Sequence, residues 1–321
     1  MKNFGYVKAK TVAEAVQAGQ GGRYIAGGTD LLNLMKDGAQ VHDRIVDINA
    51  LPLKGISQDR GVLSIGALAR MTEVAAHPVV RRALPVLSEA LLGSASPQVR
   101  NMAAIGGNLL QRTRCGYFRD TASPCNKRAP GSGCAALEGE NRGHAILGGS
   151  EHCIAVQPSD LAVALLALDA TVVVAGERRI PFEDFYVVPG TTPDRETSLR
   201  PGELIVRVEV PMTGPAARSR YLKLRDRATF EFAVVSVAAA LDLSGRTVRD
   251  VRLTFGGVAT KPWRGKEAEA ELRGRPLSAT SIAAAGKAAV RGAVGREHNA
   301  FKIELLQRAL SVLLTDLGGL T

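Results

Sequence analysis

Two Gly-Gly turns and one group of four cysteines are the features of this chain whose residue types and spacing can do chemistry. The first turn is Ala26-Gly27-Gly28-Thr29-Asp30, and the second is Ile105-Gly106-Gly107-Asn108, just after Gln98-Val99-Arg100-Asn101. Each follows an apolar run and precedes a short helical stretch. Glycine has no Cβ and tolerates positive φ, so its backbone N–H groups can come close to phosphate oxygens. Either turn alone reads equally well as a tight strand-to-helix connection. Together, each ending in a hydroxyl or amide side chain, they point to a dinucleotide diphosphate held between two lobes. Neither is a Walker A loop, because no Gly-Lys-Ser/Thr follows. A G-x-G-x-x-A string at Gly131, Gly133 and Ala136 follows Arg128-Ala129-Pro130 rather than a strand, so it does not support a Rossmann nicotinamide site.

The cysteines are Cys115, Cys125, Cys134 and Cys153, with nine, eight and eighteen residues between successive members. Four readings stay open on spacing alone. Zinc sites usually contain a close cysteine pair, absent here. Disulfides need an oxidising compartment. Unrelated buried thiols are the blandest reading, set against all four falling in one aperiodic segment. An iron–sulfur cluster held by four thiolates would order a loop that has no apolar core. Arg112, Arg114, Arg119, Lys127 and Arg128 surround the cysteines and suit an anionic centre, or else form a solvated basic face. His144 and His152 flank the region as further candidate ligands, although four thiolates already suffice.

The elements that must position these residues follow from periodicity. Residues 1–55 read as strand, helix, strand, glycine turn, helix (Asp30 to Met35, capped by Thr29) and strand. From residue 56 a second lobe begins, with a strand at Val62 to Gly66 and helices from Thr72 and Pro85. Between Gln111 and about Cys153 periodicity vanishes, and a structureless stretch of that length needs something to tie it down. A helix at Asp160 to Leu168 and strands at Ala170 to Ala175 and Glu203 to Val210 follow. After Gly214-Pro215-Ala216-Ala217, strands at 219–224, 233–243 and 249–258 precede helices at 279–290 and 301–313, an α+β order. Asp160 at a helix start is an ordinary N-cap on local grounds, and Lys223 a lone cation in a strand.

With 321 residues the chain is long enough for two or three cored domains, and 45% hydrophobic with 22% charged residues is ordinary for a globular protein. The net charge of +10 is spread along the chain, and aromatics are only 4%, which argues against nucleic acid. No apolar run reaches the roughly 18 residues that suggest a membrane span. Met1-Lys2-Asn3-Phe4-Gly5-Tyr6 shows neither an apolar signal core nor twin arginines, which leaves export as a partner's passenger open.

Ala26-Gly27-Gly28-Thr29-Asp30-Leu31-Leu32, Gln98-Val99-Arg100-Asn101 leading to Gly106-Gly107-Asn108, Pro158-Ser159-Asp160, the strand Pro201-Gly202-Glu203-Leu204-Ile205-Val206 and Lys223 occur together and in order. This combination resembles the FAD-binding (medium) subunit of the xanthine dehydrogenase and molybdenum aldehyde oxidoreductase family. The likeness spans essentially the whole chain. It is greatest to the periplasmic three-subunit aldehyde oxidoreductases, whose flavin subunit has an extra cysteine-bearing insertion for a [4Fe–4S] cluster.

The resemblance implies an α+β chain: a two-lobed vanillyl-alcohol-oxidase (PCMH-type) FAD-binding domain, then a C-terminal α+β domain of the CO-dehydrogenase flavoprotein type. The domains would be 1–213 (lobe one 1–55, lobe two 56–213, insertion about 111–153) and 214–321. Arg23, Tyr24, Ile25, Ala26, Gly27, Gly28, Thr29, Asp30 and Leu31 would wrap the diphosphate and ribityl chain of FAD. Asn101, Ala103, Ala104, Gly107 and Asn108 would complete the cradle, with Ala104 standing where many relatives have Ser or Thr. Asp160 would accept hydrogen bonds from FAD hydroxyls, Ile205 would pack on the ring system and Lys223 would lie near its polar edge. Cys115, Cys125, Cys134 and Cys153 would hold the [4Fe–4S] cluster. No catalytic residue for substrate is implied on this chain. The implied role is electron transfer beside a molybdopterin-binding large subunit and a small subunit with two [2Fe–2S] centres, towards ferredoxin, quinone, oxygen or NAD. The implied place is the periplasm by co-export with a signal-bearing partner, with the cytoplasm as the alternative. Two other readings are a stand-alone two-lobe flavin oxidase acting on a small alcohol and a zinc-stabilised scaffold without activity.

Overall fold

The computed structural model describes residues 1–212 and 214–320. Near the N-terminus, short β-branched segments alternate with short helices, and that alternation forces parallel pairing. Gly5–Lys8 and Arg23–Ile25 each pair in parallel with Arg44–Asp47, which lies between them. Helix Val12–Gly19 makes the first crossover. A capping box starts it: the Thr11 hydroxyl accepts the N–H of Glu14 at 3.1 Å, and the Glu14 carboxylate accepts the N–H of Thr11 at 3.3 Å. The core of this lobe is shared, since Leu68, Ala104 and Leu204 of the next lobe pack with Ala15, Val46, Ile48 and Leu51.

The second lobe is a five-stranded antiparallel sheet in the order Ile56–Asp59, Val62–Gly66, Ile205–Pro211, Thr171–Val174, Arg179–Pro181. Helix Asp160–Ala167 is apolar on every side after its first residue, and all eight residues are buried. Such a helix must be covered all round. One flank meets helix Pro85–Gly93, and another meets the C-terminal sheet, where the Thr254 hydroxyl donates to the carbonyl of Val163 at 2.7 Å.

That last sheet is antiparallel, ordered Trp263–Arg264, Thr247–Gly256, Val235–Ser244, Ser219–Leu224. Val237, Ala239, Leu241, Leu253 and Phe255 face helices Ala279–Ala289 and Phe301–Gly318, while Ala238 packs into the second lobe. Strands 219–224 and both C-terminal helices match the periodicity, although the last helix runs on to Gly318 and closes on left-handed Gly319. Helices Pro97–Met102 and Lys266–Leu272 and strand Arg179–Pro181 carry too few apolar residues to be seen by periodicity. Among the described residues, no helix is long and apolar enough to cross a membrane.

Residues 111–153 hold little regular structure beyond the short helix Gly116–Arg119. Polar side chains grip the backbone instead. The Asn126 carboxamide accepts the N–H groups of Gly131 (3.1 Å) and Gly133 (2.8 Å) and donates to the carbonyl of His152 at 3.1 Å. The Arg128 guanidinium donates to the carbonyls of Tyr117 and Phe118 at 2.8 and 2.7 Å.

Lys302, at the start of the last helix, is 0% exposed and donates to the carbonyls of His144 (3.0 Å) and Gly257 (2.7 Å). Burial first, then the Arg142 charge, pulls its pKa from 10.5 down to about 7. Between those two pH values the unfolded chain binds a proton that the folded chain has released. Stability therefore rises with pH across that window, by about 1 kcal/mol per pH unit. Relative to Lys302→Met, the wild-type chain is expected to gain stability from pH 7 towards 10, and urea unfolding at a series of pH values checks the difference.

Candidate functional site

Glycine sets how closely the two lobes approach. A Cβ on Gly27 would sit 2.0 Å from the carbonyl oxygen of Met102, so only glycine lets the first turn lie on the second segment. Gly28 adopts φ +71°, the left-handed region, and turns the chain into helix Leu31–Lys36. Between the lobes lies a cleft of about 830 Å³. Its walls include Arg23, Tyr24, Ile25, Ala26, Gly27, Gly28, Thr29, Asp30 and Leu31 from the first lobe, and Ala103, Ala104, Gly107, Asn108, Asp160 and Ile205 from the second. A Cβ on Gly107 would meet no protein atom within 4 Å, so its backbone borders open space.

Two expected residues lie elsewhere. Asn101 is exposed and accepts the Thr72 hydroxyl proton at 2.7 Å, away from the cleft walls. Lys223 stands behind the wall, with its side chain 6% exposed. Its ammonium donates to Asp160 Oδ2 at 2.8 Å and to the carbonyl of Gly93 at 3.1 Å. Asp160 also accepts from Tyr221 (2.6 Å) and Ser94 (2.9 Å). Ser159, not Asp160, caps the helix by accepting the N–H of Ala162 at 3.0 Å, which leaves the Asp160 carboxylate free for these partners.

Thr29 does not cap the helix that follows; Asp30 occupies that place and makes no side-chain cap. Its carboxylate instead accepts the N–H of Arg112 at 2.9 Å and pairs with the Arg114 and Arg119 guanidinium groups. This clamp joins the first lobe to the cysteine segment, and its partners stand 82 to 89 residues apart, beyond any local pattern. Arg112 and Lys127 both pair with Glu196, so most of the basic residues around the cysteines are paired with carboxylates, although these are fewer than the cations they serve. Arg23 lines the cleft and forms no ion pair among the described residues. Burial, and then the charge of Arg112, hold its pKa below the usual arginine value. It is a cation in a concave wall, suited to an anionic ligand.

Cys115, Cys125, Cys134 and Cys153 line one small cavity together with Tyr117, Phe118, Lys127 and His152. All four are free thiols, and the backbones of Cys125 and Cys134 pair as an antiparallel bridge. Burial pushes the Cys115 thiol up to about 11 and raises that of Cys153. Among the described residues, no three His, Cys, Asp or Glu side chains gather as a site for a metal ion. A further cavity of about 620 Å³ touches Cys115 on one side and shares Arg114, Gln157, Asp160 and Phe232 with the cleft on the other. Neither Phe232, whose ring lies 4.8 Å from the Arg114 guanidinium, nor Glu196 has a local signature that sequence reading could have used.

Comparison with known proteins agrees with this architecture. Residues 2–213 match the family described as FAD binding domain in molybdopterin dehydrogenase, and residues 220–316 match the CO dehydrogenase flavoprotein C-terminal domain. The chain is 48% identical to the aldehyde oxidoreductase FAD-binding subunit PaoB of Escherichia coli, with 98% of each chain covered. It is 28% identical to the carbon monoxide dehydrogenase medium chain of Hydrogenophaga pseudoflava, covering 89% of this chain and 86% of that one. Among solved structures, carbon monoxide dehydrogenase from Hydrogenophaga pseudoflava superposes with a TM-score of 0.75 at 26% identity, covering 98% and 96% of the two chains. Quinoline 2-oxidoreductase from Pseudomonas putida 86 shares the fold, with a TM-score of 0.76 at 23% identity and 99% of each chain covered. The chain belongs to the FAD-binding medium subunits of the molybdenum hydroxylase family, and is an oxidoreductase subunit.

Proposed function

We propose that this chain is the FAD- and [4Fe–4S]-carrying electron-transfer subunit of a molybdenum hydroxylase that oxidises aldehydes or related heterocycles. The observation that carries the reading is the cleft walled by both glycine turns and by the unpaired Arg23, in a chain 48% identical to an aldehyde oxidoreductase subunit. In this reading residues 1–213 form the flavin domain, with the insertion at about 111–153, and 214–321 the second domain. A molybdopterin-binding subunit oxidises the substrate, a small subunit with two [2Fe–2S] centres delivers electrons, and an external acceptor removes them. Co-export with a signal-bearing partner would place the assembly in the periplasm, with the cytoplasm as the alternative.

The residues present fit both groups. Bound FAD supplies the exchange of one or two electrons. For it, Gly27, Gly28 and Gly107 let backbone N–H groups face a diphosphate, and Arg23 adds positive charge. Asp160 is the acceptor for flavin hydroxyls, Ile205 supplies apolar wall, and Asn108 is fixed by the hydroxyl of Ser159 at 2.6 Å. Lys223 acts through Asp160, by holding that carboxylate in place. As for the cluster, four free thiols line one small cavity; burial favours the protonated form of Cys115 and Cys153, and a metal centre would take their charge when they ligate as thiolates. A ring of thiols around a cavity suits a multi-iron centre better than a single zinc ion, whose ligands converge on one point.

Three measurements test the reading. Gly107→Leu starts from a Cβ that meets no protein atom within 4 Å, so flavin absorbance should fall several-fold while thermal unfolding of the flavin-free chain changes little; full flavin content would count against this wall. Cys125→Ser should remove iron and sulfide from the purified assembly, and unchanged iron would exclude this ligand set. Lys223→Met leaves Asp160 a buried, unbalanced charge, with an expected loss of about 3–5 kcal/mol. Adding Asp160→Asn should recover part of that loss, and urea unfolding of the single and double variants reads it out.

A further inference from the structure

His144 lies outside the cysteine cavity but against one of its walls. Its Nε2 is 3.2 Å from Sγ of Cys115, while its Nδ1 is buried with no hydrogen-bond partner. The backbone of His144 is held from two directions. On its own segment, the N–H of His144 donates to the carbonyl of Asn141 at 2.8 Å. From the C-terminal unit, Lys302 donates to the carbonyl of His144 at 3.0 Å, and Asn299 Nδ2 reaches the carbonyls of His144 (3.4 Å) and Ala145 (3.3 Å). Asn299 and Lys302 are both 0% exposed, so these contacts join two dry surfaces and fix the backbone from which the imidazole reaches Cys115.

We propose that His144 is a positioning residue for the cysteine centre: its Nε2–H donates to Sγ of Cys115, and Lys302 with Asn299 anchors its backbone there from the C-terminal unit. The inference rests on the four-thiolate reading above. A free thiol could share a proton with the ring in either direction, but a metal-bound thiolate can only accept. The ring proton then belongs on Nε2, because on Nδ1 it would find no acceptor and would leave a nitrogen lone pair facing sulfur. A hydrogen bond to a ligating sulfur withdraws negative charge from it and favours the reduced form of the centre. The C-terminal unit thereby influences the potential of a centre whose ligands all lie in the insertion.

The test is an EPR-monitored redox titration of the four-iron centre in the intact complex, with iron and sulfide assayed alongside. His144→Phe keeps an aromatic ring but removes the donor, and is expected to retain iron while shifting the midpoint potential downward. His144→Gln, whose amide nitrogen can occupy the Nε2 position, should restore most of that shift. Lys302→Met is the second arm should His144→Phe fail to fold, and it too should lower the potential. Full iron content with an unshifted potential in His144→Phe, or in Lys302→Met where that is the arm that folds, overturns the proposal. So does loss of iron from a folded His144→Phe or His144→Gln complex, which would make His144 a ligand. A wild-type complex with flavin but no four-iron signal removes the cysteine reading itself, a result distinct from an unshifted potential.

Discussion

A single buried carboxylate stands where the second lobe meets the C-terminal unit. Asp160 begins the most deeply buried helix of the chain and accepts from Ser94 at the end of one neighbouring helix, and from Tyr221 and Lys223 on the first strand of the last sheet. A carboxylate in such surroundings is tolerable only while its partners hold. The arrangement therefore constrains the angle between the two units and the shape of the cleft that Asp160 lines. Ligand geometry and interdomain packing are coupled through one side chain.

The other end of the cleft depends on steric clearance and on charge pairing. Gly27 lets two backbones meet where any Cβ would strike the Met102 carbonyl. Asp30, one turn further on, ties the first lobe to the cysteine segment through Arg112, Arg114 and Arg119. The segment between residues 111 and 153 thus closes one side of the flavin cleft while enclosing the cysteine cavity. Its order comes from Asn126 and Arg128 gripping carbonyls and N–H groups and from Lys302 and Asn299 pressing on its far edge. Apolar packing there is thin, with Leu34, Ala39 and Phe118 around Cys125. A metal centre in that cavity would add the stabilisation that so small a core lacks.

Between the cysteines and the cleft lies one intermediate space that both Cys115 and Asp160 border. Redox groups in the two places would be near neighbours rather than occupants of separate domains. The last sheet, covered by helices on one face and by helix Asp160–Ala167 on the other, borders the intermediate space through Ser236 and Gly256.

Local chemistry was legible from residues alone. The strand–helix alternation of the first lobe, strands at 219–224 and about 233–243, the helix after Pro158-Ser159 and both glycine turns follow from spacing and from what glycine and capping residues permit within a few positions. The resemblance of those motifs to a family also pointed to most of the cleft wall. What the sequence could not settle involves pairs far apart in the chain. Lys223 reads as a cation near a ligand, yet packing turns it onto Asp160, 63 residues away. The arginines around the cysteines read as a field acting on sulfur, yet most of them meet Asp30 or Glu196. That four scattered cysteines face one cavity, with His144 against the Cys115 sulfur, was likewise decided by tertiary structure. The reason is physical: backbone conformation responds to neighbours within a turn or two, whereas a charge finds its counter-charge only after the chain has closed around both.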